Sequence, residues 1–573
     1  MSDVTATEPS IESVSYPTLI SVGVEGEIAA QAACSPNDNI NSVNATIPIH
    51  FTPTEHKLLG LLQRAPSPMR FRLAGGWVRD KILQKQSHDI DVAVEHATGV
   101  EAAEWVVSQH APPHTIVSSL GIVAANPEQS KHLETAVLKL YKELDVDFVS
   151  LRCAEVYSNP HSRIPQQTQP GTPYQDAMRR DFTLNALFFN VHTQCIEDWT
   201  GRGLADLRRG VLVTPLDPVV TLQDDPLRLL RGLRFAVRYS FTLDPEFVAV
   251  AKQTYMNQLL QTKVSRERIG KECMGMWQAN AVSALHTMYE WNIASSIFIL
   301  PDASSMSCIT KVPNDGEALT LERNKVAVDD TMLATAWSLT NTYLQAFDDI
   351  VKMVQDMNDS TTFNTLSAPY YHKVWTPVAA FLLPFRDYLC QDEKQKSTSA
   401  VAFIFRNSLK AKNVDVQCVA NLFDTLEMAM DLWLHSSASQ ESTSNVLMLD
   451  RLKAGRFVKA SRTNWVSSLY LAATVWFVSS NESAPTSTTA NTCATTVTRL
   501  IQAIHEAQLH EAWTIVPLLP GKQLMQKLQL KPGPMIGDYQ QRQLDFQYQF
   551  PNGTVDECMA YLQSSAKRPK QDE

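Results

Sequence analysis

The spacing of apolar residues along this chain changes period once, near Asp217. Before that point, short runs alternate apolar and polar positions, as half-buried strands require. Three such runs are Phe71-Arg72-Leu73-Ala74, Asp89-Ile90-Asp91-Val92-Ala93-Val94 and Val146-Asp147-Phe148-Val149-Ser150-Leu151, and an apolar run from Ala186 to Val191 follows. A helical spacing from Gly99 to Gln109 separates the second run from the third. Ahead of them, Thr54-Glu55-His56-Lys57 precedes Leu58, Leu59, Leu61 and Leu62, as at a capped amphipathic helix. Strands alternating with helices predict an α/β or α+β head of roughly 150 residues. After Asp217, Leu227, Leu230, Leu233, Phe235 and Val237 recur at helical spacing, and helical patterns dominate to the end. Polar stretches at Ser436 to Asn445 and Ser479 to Thr492 predict surface loops or insertions.

A chain of 573 residues exceeds one ordinary core and predicts about three or four domains. Its first 56 residues contain no Lys or Arg and much Ser, Thr and Asn, which predicts a disordered acidic extension over 1–52. That segment lacks the basic start and apolar run of a secretory signal and the acid-free, Arg-rich character of a mitochondrial presequence. Lys+Arg 50 against Asp+Glu 60 gives a formal charge of −10, so any nucleic-acid site must be a local basic patch. No window approaches 18 uninterrupted apolar residues, which predicts no membrane span. The nine cysteines are scattered and form no C-x-x-C pair; they read as reduced thiols of a cytosol-like compartment rather than disulfides or a zinc site. Lys567-Arg568-Pro569-Lys570 weakly resembles a nuclear signal and otherwise reads as a solvated tail.

Three constellations carry chemistry. In the first, Gly75-Gly76-Trp77-Val78-Arg79-Asp80 is followed nine residues later by Asp89-Ile90-Asp91. A glycine pair between a strand and a helix lets backbone N–H groups approach phosphate oxygens, and Arg79 adds a cationic fork. Asp89 and Asp91 share a strand face, and paired carboxylates there suit divalent cations shared with a triphosphate. Asp-x-Asp alone is common on solvated strand edges; its coupling to the Gly pair gives it meaning. Asp147 is a candidate third carboxylate, with Asp145 competing for the role. In the second constellation, Arg179-Arg180-Asp181-Phe182-Thr183-Leu184-Asn185-Ala186 supplies Arg and Asn groups suited to triphosphate oxygens and a ribose hydroxyl. In the third, Asp224-Asp225-Pro226-Leu227-Arg228 opens a helix, with Arg231 and Arg234 continuing the row. The plain alternative for Asp225 and Arg228 is an i,i+3 surface salt bridge.

Together these residues resemble the class II tRNA nucleotidyltransferases, the CCA-adding enzymes of eukaryotic type. The resemblance runs from Phe71 to Glu272 and includes Asp198 to Gly201 and Ser265-Arg266-Glu267-Arg268-Ile269. Asn126 to Ala136, Leu519-Pro520-Gly521-Lys522 and Leu530-Lys531-Pro532-Gly533-Pro534 resemble stretches of the eukaryotic enzymes. The resemblance implies an α+β fold: a nucleotidyltransferase head with a small mixed β-sheet over 53–215, then an all-helical neck (216–290) and an all-helical body and tail (291–573). It implies addition of the 3′-terminal CCA to tRNA from CTP and ATP, with two Mg²⁺ on Asp89 and Asp91, joined by Asp147. Gly75, Gly76, Arg79, Arg180, Asp181, Asn185 and Arg231 would hold the nucleotide, and Asp225 and Arg228 would select its base. The tRNA acceptor arm would lie on Arg234, Arg238, Lys263, Arg266, Arg268 and Lys271, then on Lys522 and Lys531; Lys453, Arg456, Lys459, Arg462 and Lys527 are further basic candidates. A cytoplasmic monomer is expected, with nuclear and mitochondrial copies as further destinations. A poly(A) polymerase, a CC-only-adding relative and a catalytically silent RNA-binding relative are the alternatives.

Overall fold

A computed structural model describes residues 18–23, 47–87, 89–109, 117–123, 135–140, 143–153, 156–157, 165–167, 170–313, 321–357, 372–391, 396–437, 449–480 and 487–565. The chain divides into two compact units, residues 1–268 and 269–573. The division falls inside the expected neck.

The first unit is built on a nine-stranded mixed sheet. Its strands are β1 (Thr18–Gly23), β2 (Ile47–Pro48), β3 (Arg70–Ala74), β4 (Asp89–Glu95), β5 (Val117–Val123), β6 (Thr135–Leu140) and β7 (Leu144–Ser150). After the short pair β8 (Val156–Tyr157) and β9 (Pro165–Gln167), β10 (Leu187–Asn190) and β11 (Cys195–Asp198) complete it. The order is β2-β1-β11-β10-β3-β4-β7-β6-β5. β4 lies antiparallel to β3 and parallel to β7. All four apolar runs read from the sequence are strands of this sheet. β1 and β2 were not expected: residues 18–23 and 47–48 of the extension pair with each other and, through β1, with β11. Leu19, Ile20 and Val22 make too short an apolar run, inside a Ser-, Thr- and Asn-rich segment, to announce a strand, and the backbone edge of β11 completes the pairing.

Helix α1 (Pro53–Leu62) is capped two residues earlier than Thr54: the Thr52 hydroxyl accepts from the Glu55 N–H at 3.2 Å, and the Thr52 N–H donates to the Glu55 carboxylate at 2.7 Å. Glu55 is 2% exposed. It also accepts from Trp77 Nε1 at 2.8 Å and Lys81 Nζ at 2.6 Å, which pins α1 to α2 (Gly76–Ile82). α3 (Gly99–Ser108) connects toward β7 and packs on it. α4 (Pro173–Met178) contributes Ala177 to a core cluster with Ala74, Ala93 and Phe188. α5 (Gly203–Arg209), α6 (Pro218–Asp224), α7 (Leu227–Tyr239), α8 (Pro245–Ala251) and α9 (Thr254–Lys263) complete the unit, with β12 (Val211–Leu212) paired to β13 (Thr242–Leu243). In α7 the apolar stripe Leu227, Leu230, Leu233 and Phe235 is buried. A Cβ at Gly232 would stand 2.9 Å from the Phe182 ring, so only glycine lets α7 approach the Arg-Arg-Asp segment this closely.

The second unit is mostly helical. Helix Trp465–Ser480 carries no charged residue and is buried on nearly every face, which makes it the axis of the core. The all-helical expectation needs one correction here: β14 (Met306–Pro313), β15 (Leu321–Ala327), β16 (Tyr388–Gln391) and β17 (Ser397–Ser399) form an antiparallel sheet in the order β15-β14-β16-β17. β16 and β17 are short and β15 is laced with charge, as in Leu321-Glu322-Arg323-Asn324-Lys325, so β14 has no neighbour whose pattern announces a sheet. Residues 487–492, read as a loop, open the helix Ser487–Glu506. The eight described cysteines are free. Among the described residues no helix is long and apolar enough to cross a membrane. The stretch 126–134 and the basic tail 567–570 lie outside the described residues.

Candidate active site

β3 delivers the chain into the glycine turn. Gly75 adopts φ 61°, a left-handed conformation that disfavours side chains, and its N–H donates to Leu187 O on β10 at 3.1 Å. A Cβ there would meet Arg180 Nη1 at 2.7 Å and Asn185 O at 3.3 Å. The turn is thus fitted against the Arg180 guanidinium, which donates to Asn185 O at 3.2 Å and lies 4.9 Å from the Phe188 ring centre.

Register sets the carboxylates. Asp89 stands opposite Asp145 and Asp91 opposite Asp147 on the parallel pair β4–β7, and Ala74 and Phe188 continue the Asp91–Asp147 row across β3 and β10. Partners in a sheet row project to one face, so four acids share it. Water withdrawal around Asp91 pushes its carboxyl above the usual range; Arg180 pulls it down, while Asp89 and Asp176 push it up. Asp147 is raised first by desolvation, then by Asp91, Asp89 and Asp145. Asp145 has a cation nearby, Lys139 Nζ at 3.8 Å. Asp147, beside Asp91 and coupled to both members of Asp-x-Asp, is the better-placed third carboxylate.

These hard oxygen donors, mutually repelling on one face, fit divalent cations, which would relieve the repulsion. Among the described residues no three His, Cys, Asp or Glu side chains converge as a ready-made ligand set.

The Arg-Arg-Asp segment is held from below by Asp176 of α4. Arg179 donates to Asp176 Oδ1 at 2.9 and 2.6 Å, and Arg180 to Oδ2 at 3.1 and 2.8 Å. Burial alone would raise the Asp176 carboxyl, but Arg180 and then Arg179 prevail and hold it at about 2. Asp181 behaves likewise: against burial, Arg231 and the Asn185 amide bring it to about 2.

The structure turns two expected nucleotide ligands inward. Arg79 is 5% exposed. It donates to Asp80 Oδ1 at 2.9 Å, Asn185 Oδ1 at 2.6 Å and the Tyr239 hydroxyl at 2.8 Å. Asn185 meanwhile donates to Asp181 Oδ1 at 3.0 Å. Both sit beneath the turn as brackets, with Arg180 the guanidinium nearer the carboxylates. Arg231 is likewise paired, 2.7 Å from Asp181 Oδ2.

The side chains of Asp225 and Arg228 do not pair; the two residues meet only through the Arg228 N–H, which donates to Asp225 O at 3.0 Å. Asp225 has left α6 in extended conformation (φ −133°, ψ 98°), accepts the Leu227 N–H at 3.1 Å and receives Arg268 Nη2 at 2.7 Å. Arg228 donates to Thr221 O at 3.2 Å and Arg179 O at 2.6 Å, with Asp224 at 3.3 Å. Each is oriented by its own partners, and the Arg179 carbonyl ties Arg228 to the Arg-Arg-Asp segment.

Of the expected RNA contacts in this unit, Arg234 stacks over Phe235 at 4.3 Å and Arg238 over Tyr239 at 5.4 Å. Lys263 donates to Gln223 O at 3.0 Å, Arg266 is half-buried and Arg268 serves Asp225. In the second unit Lys271, Lys522 and Lys531 are exposed. Lys459 is committed to the Trp513 and Ile515 carbonyls, while Arg456 and Lys453 pair with Asp545 and Asp431 with their side chains still reaching solvent. Sequence reasoning missed Asp176 and Tyr239. Asp176 had a legible signal, an acid three and four residues before two arginines; Tyr239 had none.

A glycine turn fitted to an arginine, facing an Asp-x-Asp strand with a third acid alongside, defines a nucleotidyltransferase. Residues 71–213 match the Poly A polymerase head domain family. Over 535 residues the chain is 33% identical to the tRNA nucleotidyltransferase cca2 of Schizosaccharomyces pombe, covering 89% of this chain and 97% of that one. It is 31% identical to the mitochondrial CCA tRNA nucleotidyltransferase of Saccharomyces cerevisiae, covering 87% and 88%. The chain belongs to the CCA-adding tRNA nucleotidyltransferases. The Thermotoga maritima CCA-adding enzyme, solved in complex with tRNA, shares the fold: TM-score 0.56 at 15% identity, over 90% of this chain and 97% of that one. The family implies dependence on a divalent metal, which the donor set fits.

Proposed function

We propose that this chain builds the 3′-terminal CCA of tRNA from CTP and ATP without a nucleic-acid template. The observation that carries the reading is the tie between selection and chemistry: Arg228 donates to the backbone of Arg179, whose neighbour Arg180 lies against the glycine turn and pulls on Asp91. Asp89, Asp91 and Asp147 would hold Mg²⁺, which when bound supplies Lewis-acid activation and charge neutralisation at the triphosphate. The Gly75-Gly76 backbone and Arg180 hold the triphosphate; Arg79, Asn185, Asp181 and Arg231 hold that cradle in shape. The tRNA 3′ oxygen forms the new bond to the α-phosphorus and loses its proton. The α–β bridge breaks, and pyrophosphate leaves with the electron pair.

Asp225 and Arg228 choose the base. Cytosine and adenine both offer an exocyclic amine beside a ring-nitrogen acceptor, which a carboxylate and a guanidinium match. Uracil and guanine present the reverse pattern and leave buried polar groups unpaired, at about 1–3 kcal/mol each. The acceptor arm, an A-form helix read through phosphates and 2′-hydroxyls, is held by Arg234, Arg238, Arg266, Lys271, Lys522 and Lys531. The division into head (53–215), neck (216–290), and body and tail (291–573) is our working anatomy, with a monomer as the functional form. The mitochondrial name of the budding-yeast relative supports that destination beside the cytosol.

The test is incubation of tRNA lacking CCA with CTP and ATP, followed by product sizing. Three added nucleotides ending in A support the reading. A long A tail, arrest after CC, or no extension would each replace it, with a poly(A) polymerase, a CC-adding enzyme or a silent RNA-binding relative respectively.

A further inference from the structure

Beneath the glycine turn runs a closed circuit of side chains that none of the expected nucleotide contacts explains. Starting on α7, Tyr239 donates from its hydroxyl to Asp80 Oδ1 at 2.9 Å and accepts from Arg79 Nη2 at 2.8 Å. Arg79 also holds Asp80 and reaches Asn185 Oδ1 at 2.6 Å. Asn185 passes the contact to Asp181 Oδ1 at 3.0 Å, and Arg231 Nε returns it to α7 from Asp181 Oδ2 at 2.8 Å. Five of the six members are buried and Arg231 is half-buried. Arg231 and Tyr239 are eight residues apart on one helix, so the circuit grips α7 at two points about 12 Å apart. Two grips fix a rigid rod in position and angle where one leaves it free to pivot. At the opening of the same helix stands Arg228, three residues before Arg231.

We infer that this circuit, with Tyr239 as its anchor, is the gauge that sets Arg228, the base-selecting residue of α7, at a fixed distance from the triphosphate cradle. The inference rests on the reading of Asp225 and Arg228 as base-selecting residues. The chemistry requires such a gauge. A nucleotide has a fixed span from triphosphate to base edge, so a template works only if α7 cannot shift relative to the turn. Buried polar groups suit the task because each has few alternative partners, and a displaced α7 leaves several unpaired at once. Tyr239 is therefore a positioning residue: it acts on the base through α7 and on the phosphates through Arg79 and Asp80. Its ring is held as well, with Arg79 4.8 Å and Lys85 4.3 Å from the ring centre.

Tyr239→Phe removes the hydroxyl and keeps the ring. The expected result is a fall in the kcat/KM ratio of CTP over UTP of about fivefold, the size of one buried hydrogen bond, carried mainly by KM. tRNA affinity should not change. In an Arg228→Ala background the same substitution should leave the ratio where Arg228→Ala put it, because the α7 side chain being positioned is already gone. A ratio unchanged by Tyr239→Phe, or one lowered by the same factor in both backgrounds, would overturn the inference and reduce Tyr239 to a packing residue. Should Tyr239→Phe fold poorly, Asp80→Asn carries the same comparison, since it keeps the shape and weakens the same junction. Wild-type protein that adds C and A while neither variant moves the ratio sinks this inference alone; wild-type protein that adds neither sinks the functional reading.

Discussion

Replacing Asp176 by Asn should cost about 2–3 kcal/mol at neutral pH and loosen Arg180, the arginine that pulls on the Asp91 carboxyl. Asp176 is 2% exposed and accepts four hydrogen bonds from Arg179 and Arg180. Its carboxyl is held at about 2 against an ordinary 3.8. A carboxyl held that far down corresponds to about 2–3 kcal/mol. The folded state favours the charged form, so this contribution is fully present above the unfolded value near 4 and is lost as pH falls through about 2; by pH 3 roughly half should remain. Urea melts of wild type and Asp176→Asn at several pH values from 7 to 3 measure it. The gap between them should be widest at pH 7 and close steadily below pH 4. Freed from its seat, Arg180 should hold the triphosphate less well, raising KM for CTP and ATP together while their preference over UTP persists. Equal stability at pH 7, or a gap of constant size down to pH 3, would refute the electrostatic account.

Asp89→Ala or Asp91→Ala should abolish C and A addition alike. Asp91→Asn should also raise Tm in metal-free buffer, because crowding around Asp91, whose side chain still reaches solvent, and then Asp89 and Asp176 push that carboxyl upward, so its charge opposes folding; a lower Tm would contradict this. Asp225→Ala and Arg228→Ala should each reduce CTP and ATP use while narrowing the gap to UTP and GTP, read as kcat/KM for all four nucleotides; equal proportional losses would end the template reading. Gly75→Ala should depress nucleotide binding by tenfold or more, since its Cβ meets Arg180 at 2.7 Å in a left-handed backbone and the strain is about 1–3 kcal/mol; near-normal KM in this variant would show that Arg180 does not serve the cradle. tRNA affinity should fall steeply between low and physiological salt, despite the formal charge of −10; a flat filter-binding series would remove the phosphate-dominated patch.

The strand carrying Asp89 and Asp91, the glycine turn and the buried stripe of α7 were legible from residue order because each is a local pattern: a period of two, a glycine pair, a helical spacing. A strand that sets Ile90, Val92 and Val94 on one face and Asp89, Asp91 and Glu95, with Ala93, on the other fixes locally which side Asp91 takes. Partner choice is different in kind. The i,i+3 argument joined Asp225 to Arg228, but Asp225 lies off the helix in extended conformation; its carboxylate meets Arg268, 43 residues onward. Arg79 looked like an open phosphate ligand because an arginine after a glycine turn has the right chemistry; Tyr239, 160 residues away, helps claim it for the interior. β1 and β14 to β17 escaped notice because their apolar runs are short, and only pairing with strands elsewhere in the chain gathers them into sheets. The sequence by itself determined which residue types were available to hold metal, phosphate and base, and on which local elements. Only the tertiary structure decided which of these groups stay open to a substrate, because a charged side chain goes to whichever partner the fold brings within about 3 Å.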